Sequence, residues 1–309
     1  MPIERIAIEN RDQWLALRSQ DVTASIAGAL LGVHPYSTAY GLYLLKKGLI
    51  QEDPEETGPM RRGRLLEPVA VQMLREDRPN WIIEEYPIGY YYRDPAARIG
   101  ATPDVFATNE HGKPGIVQLK SVEPSVFRRE WKTDSGMIEP PLWIVVQAIL
   151  ETYLTGREWA AVAPLVVGFG LELPIIDIPI HAGIFQRIKA EVDQFWQRID
   201  EGRAYDPDYA RDGGLIAQLY PQDNGVEIDL SGDNETPMFV DLLESARAAR
   251  KLAETEEKTA KAALASKMGE ASIALLSDGR RVSNKTQNRA GYFVNESSFR
   301  VLRVLKGRR

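Results

Sequence analysis

The chain contains no cysteine and only three histidines among 309 residues. Without cysteine there is no disulfide, no thiolate zinc site and no cysteine nucleophile. His34, His111 and His181 stand far apart in sequence, which speaks against a histidine zinc cluster or a histidine-based triad. No run approaches about 18 consecutive apolar residues, so no spanning helix and no membrane partner are expected. The start, Met-Pro-Ile-Glu-Arg, lacks the charged-then-apolar layout of a secretory signal, and a cytoplasmic protein is expected. Gly-x-x-x-x-Gly-Lys-Ser/Thr, a strand-borne Gly-x-Gly-x-x-Gly and His-Glu-x-x-His are all missing. A net charge of −6 argues against a generic nucleic-acid coat. The charge is uneven, however. From Gly279 to Arg309 nine Lys/Arg face one acid, Glu296, and salt screening lets such a local basic surface act on its own.

What is present is an ordinary soluble composition, 44% apolar and 27% charged. The spacing predicts helices over 10–19, from Thr23 or Ser25 to Gly32, from Ser37 to Lys47, and from Met60 to Glu76. Short β-rich runs follow at Trp81–Tyr86, Ile88–Arg93, Gly100–Ala107 and Gly115–Val122, with the clearest hairpin turn at 111–115. A helix over 141–155, strands at Trp159–Phe169 and Leu171–Ile180, and a helix over Ala182–Glu201 complete an α/β or α+β arrangement of about 200 residues. Three segments are expected: residues 1–205 as one domain, a Pro/Gly/Asp-rich linker over 206–233, and an accessory segment over 234–309. The last holds a long helix from Met238 to Met268 and a hairpin turning at Asp278-Gly279.

The residues with chemical potential lie in the β-rich middle. Thr102-Pro103-Asp104 opens a strand, and Gln118 and Lys120 on the next share a face because strand side chains repeat every two residues. Glu67, in Gly63-x-x-x-Glu67, offers a carboxylate from a helix able to cover the sheet. Two carboxylates, an amide oxygen and a lysine suit Mg²⁺, a hard ion that takes oxygen ligands and keeps waters for a phosphate substrate. Taken singly, Pro-Asp reads as a turn and Lys120 as part of a solvated face. Tyr90–Tyr92 reads as a strand on a core or as a base-stacking platform. Arg128, Arg129 and Lys132 read as a solvated loop or a DNA contact, and Trp143 and Trp196 as core.

The ordered set Arg18…Thr23-Ala24-Ser25…Leu31-Gly32, Gly63-x-x-x-Glu67, Gly100-Ala101-Thr102-Pro103-Asp104, Val117-Gln118-Leu119-Lys120 and Gln147…Thr155-Gly156 resembles the YqaJ-type viral recombinase family. That family includes the phage lambda-type exonucleases of the restriction-endonuclease-like superfamily, and the resemblance covers roughly residues 10–200. It implies a central mixed sheet flanked by helices, with the C-terminal helical arm and hairpin appended. It also implies a nuclease acting on double-stranded DNA ends, 5′ to 3′, in recombination by single-strand annealing in a phage-bearing bacterial host. Glu67, Asp104 and the position of Gln118 would hold Mg²⁺, with Mn²⁺ as a substitute. Lys120 would be the catalytic lysine, Gln147 would stand beside it, and Arg18 with Ser25 would grip a phosphate. An annealing protein and a homo-oligomeric ring such as a trimer are the implied partners.

One departure matters. The family places Asp or Glu where this chain has Gln118, so the site holds a formal −2 in place of −3 and should bind two Mg²⁺ less well. Three accounts fit: a natural glutamine variant that cuts, an engineered silent form, or a DNA-end-binding protein that does not cut. A structure-selective endonuclease is a further alternative, although the absence of cysteine counts against the iron–sulfur branch of the superfamily.

Overall fold

Asn10, Thr38 and Thr57 each accept a hydrogen bond from the amide three residues on, at 2.9, 2.9 and 3.4 Å, and each starts a helix. The computed structural model describes residues 2–51, 56–84, 89–291, 293, 296 and 300–304. Parts of the expected strands at 81–93, and Lys306, Arg308 and Arg309 of the basic tail, lie outside them. The chain forms two units, divided after Leu219.

In chain order the first unit carries β1 (Glu4–Ala7), α1 (Arg11–Gln20), β2 (Val22–Thr23), α2 (Ala39–Lys46), α3 (Gly58–Asp77), β3 (Ile82–Ile83), β4 (Tyr90–Asp94), β5 (Ile99–Ala101) and β6 (Val105–Thr108). It continues with β7 (Pro114–Val122), α4 (Pro124–Glu130), α5 (Leu142–Thr155), β8 (Trp159–Val167), β9 (Leu171–Glu172), β10 (Ile176–Ile178), α6 (Ala182–Glu201) and α7 (Gly213–Leu219). A six-stranded sheet runs β10-β8-β7-β6-β3, with β9 on β8, and a four-stranded sheet runs β1-β4-β5-β2. The long pair β7 and β8 is parallel, so α4 and α5 form the crossover between them.

The central sheet is covered on both faces, as a parallel pair requires. On one face Val117 and Leu119 of β7 pack with Ala70, Val71 and Leu74 of α3. On the other, Ile116 and Val122 join Ile144, Ala148 of α5 and Val192, Phe195 of α6. Tyr91 belongs to this framework: it is fully buried and its hydroxyl donates to Asp21 at 3.1 Å.

Several local expectations change. No helix runs from Thr23 or Ser25 to Gly32. The amides of Val22 and Ala24 bond the carbonyls of Arg98 and Gly100 at 2.8 Å each, which draws this segment into the sheet as β2, and only a single tight turn over Ala27–Ala29 remains. The third helix is capped by Thr38 rather than led by Ser37. The expected strand Gly100–Ala107 breaks into β5 and β6, which lie in different sheets. Pro103 sits at the break, where its missing N–H ends a ladder. Arg128 and Arg129 stand on α4 and not in a loop. Residues 206–219, expected in the linker, lie within the first unit: Asp212 is buried and accepts the Thr38 hydroxyl at 2.6 Å.

The second unit carries α8 (Thr236–Met268) and the hairpin of β11 (Ile273–Leu275) with β12 (Arg281–Ser283). Gly279 has φ +83°, as the tight turn demands. Along α8, Arg250–Glu254 at 3.4 Å and Lys261–Glu257 at 2.5 Å are pairs one turn apart. No helix among the described residues is long and apolar enough to cross a membrane.

Gly115 and Gly63 differ sharply. A Cβ on Gly115 would overlap the Trp159 indole, whereas a Cβ on Gly63, inside α3, meets nothing within 4 Å. Gly115→Ala is therefore expected to cost about 1–3 kcal/mol through overpacking, and Gly63→Ala to add about 0.5–1 kcal/mol by restoring helix propensity. Urea unfolding of the two variants checks both signs. Equal midpoints would contradict this account of the packing.

Candidate active site

Side-chain alternation along β7 decides what faces what. With Val117 and Leu119 on the α3 face, Gln118 and Lys120 project to the α5 face. Val105 pairs with Val117, so the residue before it, Asp104, stands opposite Gln118. Helix α5 brings Gln147 over Lys120, and α3 brings Glu67 to the same opening. The five residues share a cleft of about 550 Å³ with Trp14, Gly63 and Trp143. Arg18 and Ser25 do not line it. Arg18 stacks on the Trp14 ring at 4.4 Å, and Trp14 in turn donates its indole N–H to Thr102 at 3.2 Å. The Ser25 and Thr23 hydroxyls lie 3.2 Å apart.

The polar side chains form one directed hydrogen-bond chain. Lys120 Nζ donates to Gln147 Oε1 at 3.0 Å. Gln147 Nε2 donates to Gln118 Oε1 at 3.0 Å and to Glu151 Oε1 at 2.8 Å. Gln118 Nε2 donates to Asp104 Oδ2 and, at 3.2 Å, to the Leu119 carbonyl. The Leu119 amide also donates to Asp104 Oδ2, at 2.8 Å. A lysine ammonium has only donors, so it sets the sense of every amide beyond it. Gln118 consequently turns its NH₂, and not its oxygen, toward Asp104.

Burial raises the pKa of the carboxyls here. Glu67 is pushed up to about 7 by burial and then by the charge of Asp104, with Lys120 opposing. Asp104 is also raised by burial, against the pull of Lys120, the Leu119 amide and Gln118. Glu151 is raised well above the usual carboxylate range by burial and by Asp104. Glu67 Oε1 is buried with no hydrogen-bond partner. Among the described residues no three His, Cys, Asp or Glu converge closely enough to hold a metal ion. An orphaned carboxylate oxygen sharing a cleft with a second carboxylate is nevertheless a pair of hard-oxygen donors that suits a divalent cation such as Mg²⁺.

Sequence reasoning missed Glu151. It is 1% exposed and is the single charged side chain in the 14 residues of α5. One acid on an otherwise apolar helix, four residues after Gln147 and therefore on the same face, was the available signal. Trp143 is half-buried: it packs against the core, as expected, and also lines the site, with its ring centroid 5.4 Å from Lys120 Nζ. Trp196 is buried, as expected.

Residues 13–158, which run from α1 through α5, match the family described as YqaJ-like viral recombinase domain. This segment is similar to that family. Solved structures similar to the chain include an alkaline exonuclease, LHK-Exo, from Laribacter hongkongensis, at 20% identity and a TM-score of 0.48, covering 67% of this chain and 99% of that one. A phage related exonuclease from Haemophilus somnus 129PT is similar at 12% identity and a TM-score of 0.42, covering 59% and 94%. Among curated proteins no match was found. The matched segment contains Glu67, Asp104, Gln118, Lys120, Gln147 and Glu151, and ends at Glu158, just before β8.

Glu67 also gives the chain a pH signature in the absence of metal. Between about 4.5, the unfolded value, and about 7, the folded chain keeps a proton that the unfolded chain has released. Stability should therefore fall as pH rises through this window and level off above it, by about 1–2 kcal/mol once the partial exposure of Glu67 is discounted. Glu67→Gln should flatten this slope, as read by urea midpoints from pH 4 to 8 in EDTA. A stability that rises across the window in the parent chain would contradict the assignment.

Proposed function

We propose that this chain is a Mg²⁺-dependent deoxyribonuclease that degrades double-stranded DNA from its ends, 5′ to 3′, and so prepares single strands for annealing in phage-type recombination. The observation that carries the reading is the meeting of Glu67, Asp104 and Lys120 in one cleft, with both carboxylates raised by burial. Glu67 and Asp104 would hold the cation, with Mn²⁺ as a substitute. When bound, the cation supplies Lewis acidity at a phosphodiester. Lys120, anchored by Gln147, places its ammonium to offset the charge that grows on the phosphate as it is attacked. The Leu119 amide and Gln118 fix the orientation of Asp104. Arg18, beside Trp14 at the cleft, and Ser25 would hold a DNA phosphate. A homo-oligomeric ring and a single-strand annealing protein are the partners this reading brings with it.

A second reading has its own support. With its NH₂ toward Asp104, Gln118 offers the cation no oxygen, which favours a protein that holds DNA ends without cutting. Digestion of linear and covalently closed duplex DNA in Mg²⁺ separates the readings. The exonuclease reading expects the chain to degrade the linear form and spare the circle. Cleavage of the circle would mark an endonuclease. Cutting by Gln118→Glu alone, or binding of ends without cutting by either chain, would favour the silent form. Lys120→Ala should lower the rate by about 100-fold or more while leaving the unfolding temperature within a few degrees. Undiminished activity in that variant would remove Lys120 from the mechanism.

A further inference from the structure

Charge in the second unit is sorted along the chain. From Tyr220 to Asp278 there are twelve acids and six Lys/Arg, whereas from Gly279 to Arg309 there are one acid and nine Lys/Arg. Helix α8 satisfies much of its own charge, with Arg250 on Glu254 and Lys261 on Glu257. At the hairpin turn Arg280 pairs with Asp278 at 2.6 Å. Arg281, Lys285, Arg289 and Arg303 differ: all four are exposed, and among the described residues no acid forms an ion pair with them.

The backbone spreads these cations out. Arg281 pairs with Leu275, and the next pair, Val282 with Ala274, is half-buried, so strand alternation turns Arg281 to the open side of the hairpin. The Asn284 amide still bonds the Ser272 carbonyl at 3.0 Å, which holds Lys285 next to the hairpin. The tail is then fastened beside the first half of α8, where Arg247 donates to the Leu302 carbonyl at 2.9 Å. Arg300 donates to the Tyr220 carbonyl at 3.4 Å. From Arg247 to Met268, α8 rises about 30 Å. Between its two attachments the cationic segment therefore spans a length equal to about nine base pairs.

From this sorting we infer that the second unit holds the phosphate backbone of double-stranded DNA through Arg281, Lys285, Arg289 and Arg303. The inference rests on the reading of the chain as one that acts on duplex DNA. It gives the appended segment a task separate from the cleft, which is to retain the substrate without regard to sequence. Phosphate is the ligand this chemistry selects: guanidinium groups donate in pairs to phosphate oxygens, and their charge is never lost at neutral pH. An unpaired row of cations gains affinity by releasing counterions from the duplex.

The test is binding of the full chain to a fluorescent duplex of about 30 base pairs in EDTA, followed by anisotropy across a range of KCl concentrations. Each phosphate contact contributes about −0.9 to the slope of log affinity against log salt. The quadruple variant Arg281→Ala/Lys285→Ala/Arg289→Ala/Arg303→Ala should lose about three units of slope and bind about 30-fold or more weakly at about 0.1 M salt. The control Arg250→Ala/Lys261→Ala removes two cations already paired on α8 and should change the slope by less than about half a unit. Heat unfolding shows whether the quadruple variant folds. If it does not, Arg281→Ala and Arg303→Ala, made singly, should each lose about one unit of slope. A parental slope in the folded variants overturns the inference. So does an equal loss per cation in the control, which would make net charge the cause, and so does a loss confined to a single-stranded oligonucleotide. A parent chain that binds no duplex overturns the DNA reading itself, a result distinct from the others.

Discussion

The donor-only character of the Lys120 ammonium is the constraint on which the rest of the site depends. Because it cannot accept, Gln147 must present its oxygen to it and its NH₂ to everything else. That choice sets Gln118, and Gln118 sets the lone pairs left open on Asp104. Three elements (the start of β6, β7 and α5) are joined at one end of the sheet by this sequence of bonds, in which Glu67 Oε1 of α3 takes no part. The apolar packing on both faces of β7 supports the chain without entering it: Val117 and Leu119 are held by α3, Ile116 and Val122 by the α5 side.

Much of the framework was legible. Long periodic segments such as Ala182–Glu201 and the helix ending near Met268 could be read because their caps and apolar spacing agree. The resemblance carried by Glu67, Asp104 and Lys120 also pointed to the cleft where they meet. What could not be read depends on tertiary pairing. Thr23 reads as a helix cap, yet the amides of Val22 and Ala24 on either side of it find the carbonyls of Arg98 and Gly100 across the fold. Asp212 sits in a Pro/Gly/Asp-rich stretch and reads as solvent-facing until Thr38 is brought to it from 174 residues away.

The amide directions at Gln118 and Gln147 belong to the same class. Spacing places the two residues near one another, but only the position of Lys120 decides which end of each amide points where. Glu151 was hidden for a different reason. In a run as apolar as Leu142–Thr155, one carboxylate looks like a helix face reaching solvent, and the burial of both sides of α5 is a property of the assembled sheet.

The break at Thr102-Pro103-Asp104 has a consequence for motion. β5 belongs to the four-stranded sheet and β6 to the six-stranded one, so Asp104 lies at the seam between two hydrogen-bonded plates, tied to one by the Leu119 amide and close in sequence to the other. Trp14 fastens the N-terminal helix to Thr102 at this seam. Movement of the smaller plate would therefore reach Asp104 through the three peptide bonds beyond Ala101, whereas Lys120 lies on β7 in the middle of the larger plate. The spacing between Asp104 and Lys120 in this cleft is thus set by how tightly two sheets are sewn together, and the thread is the short stretch from Ala101 to Val105.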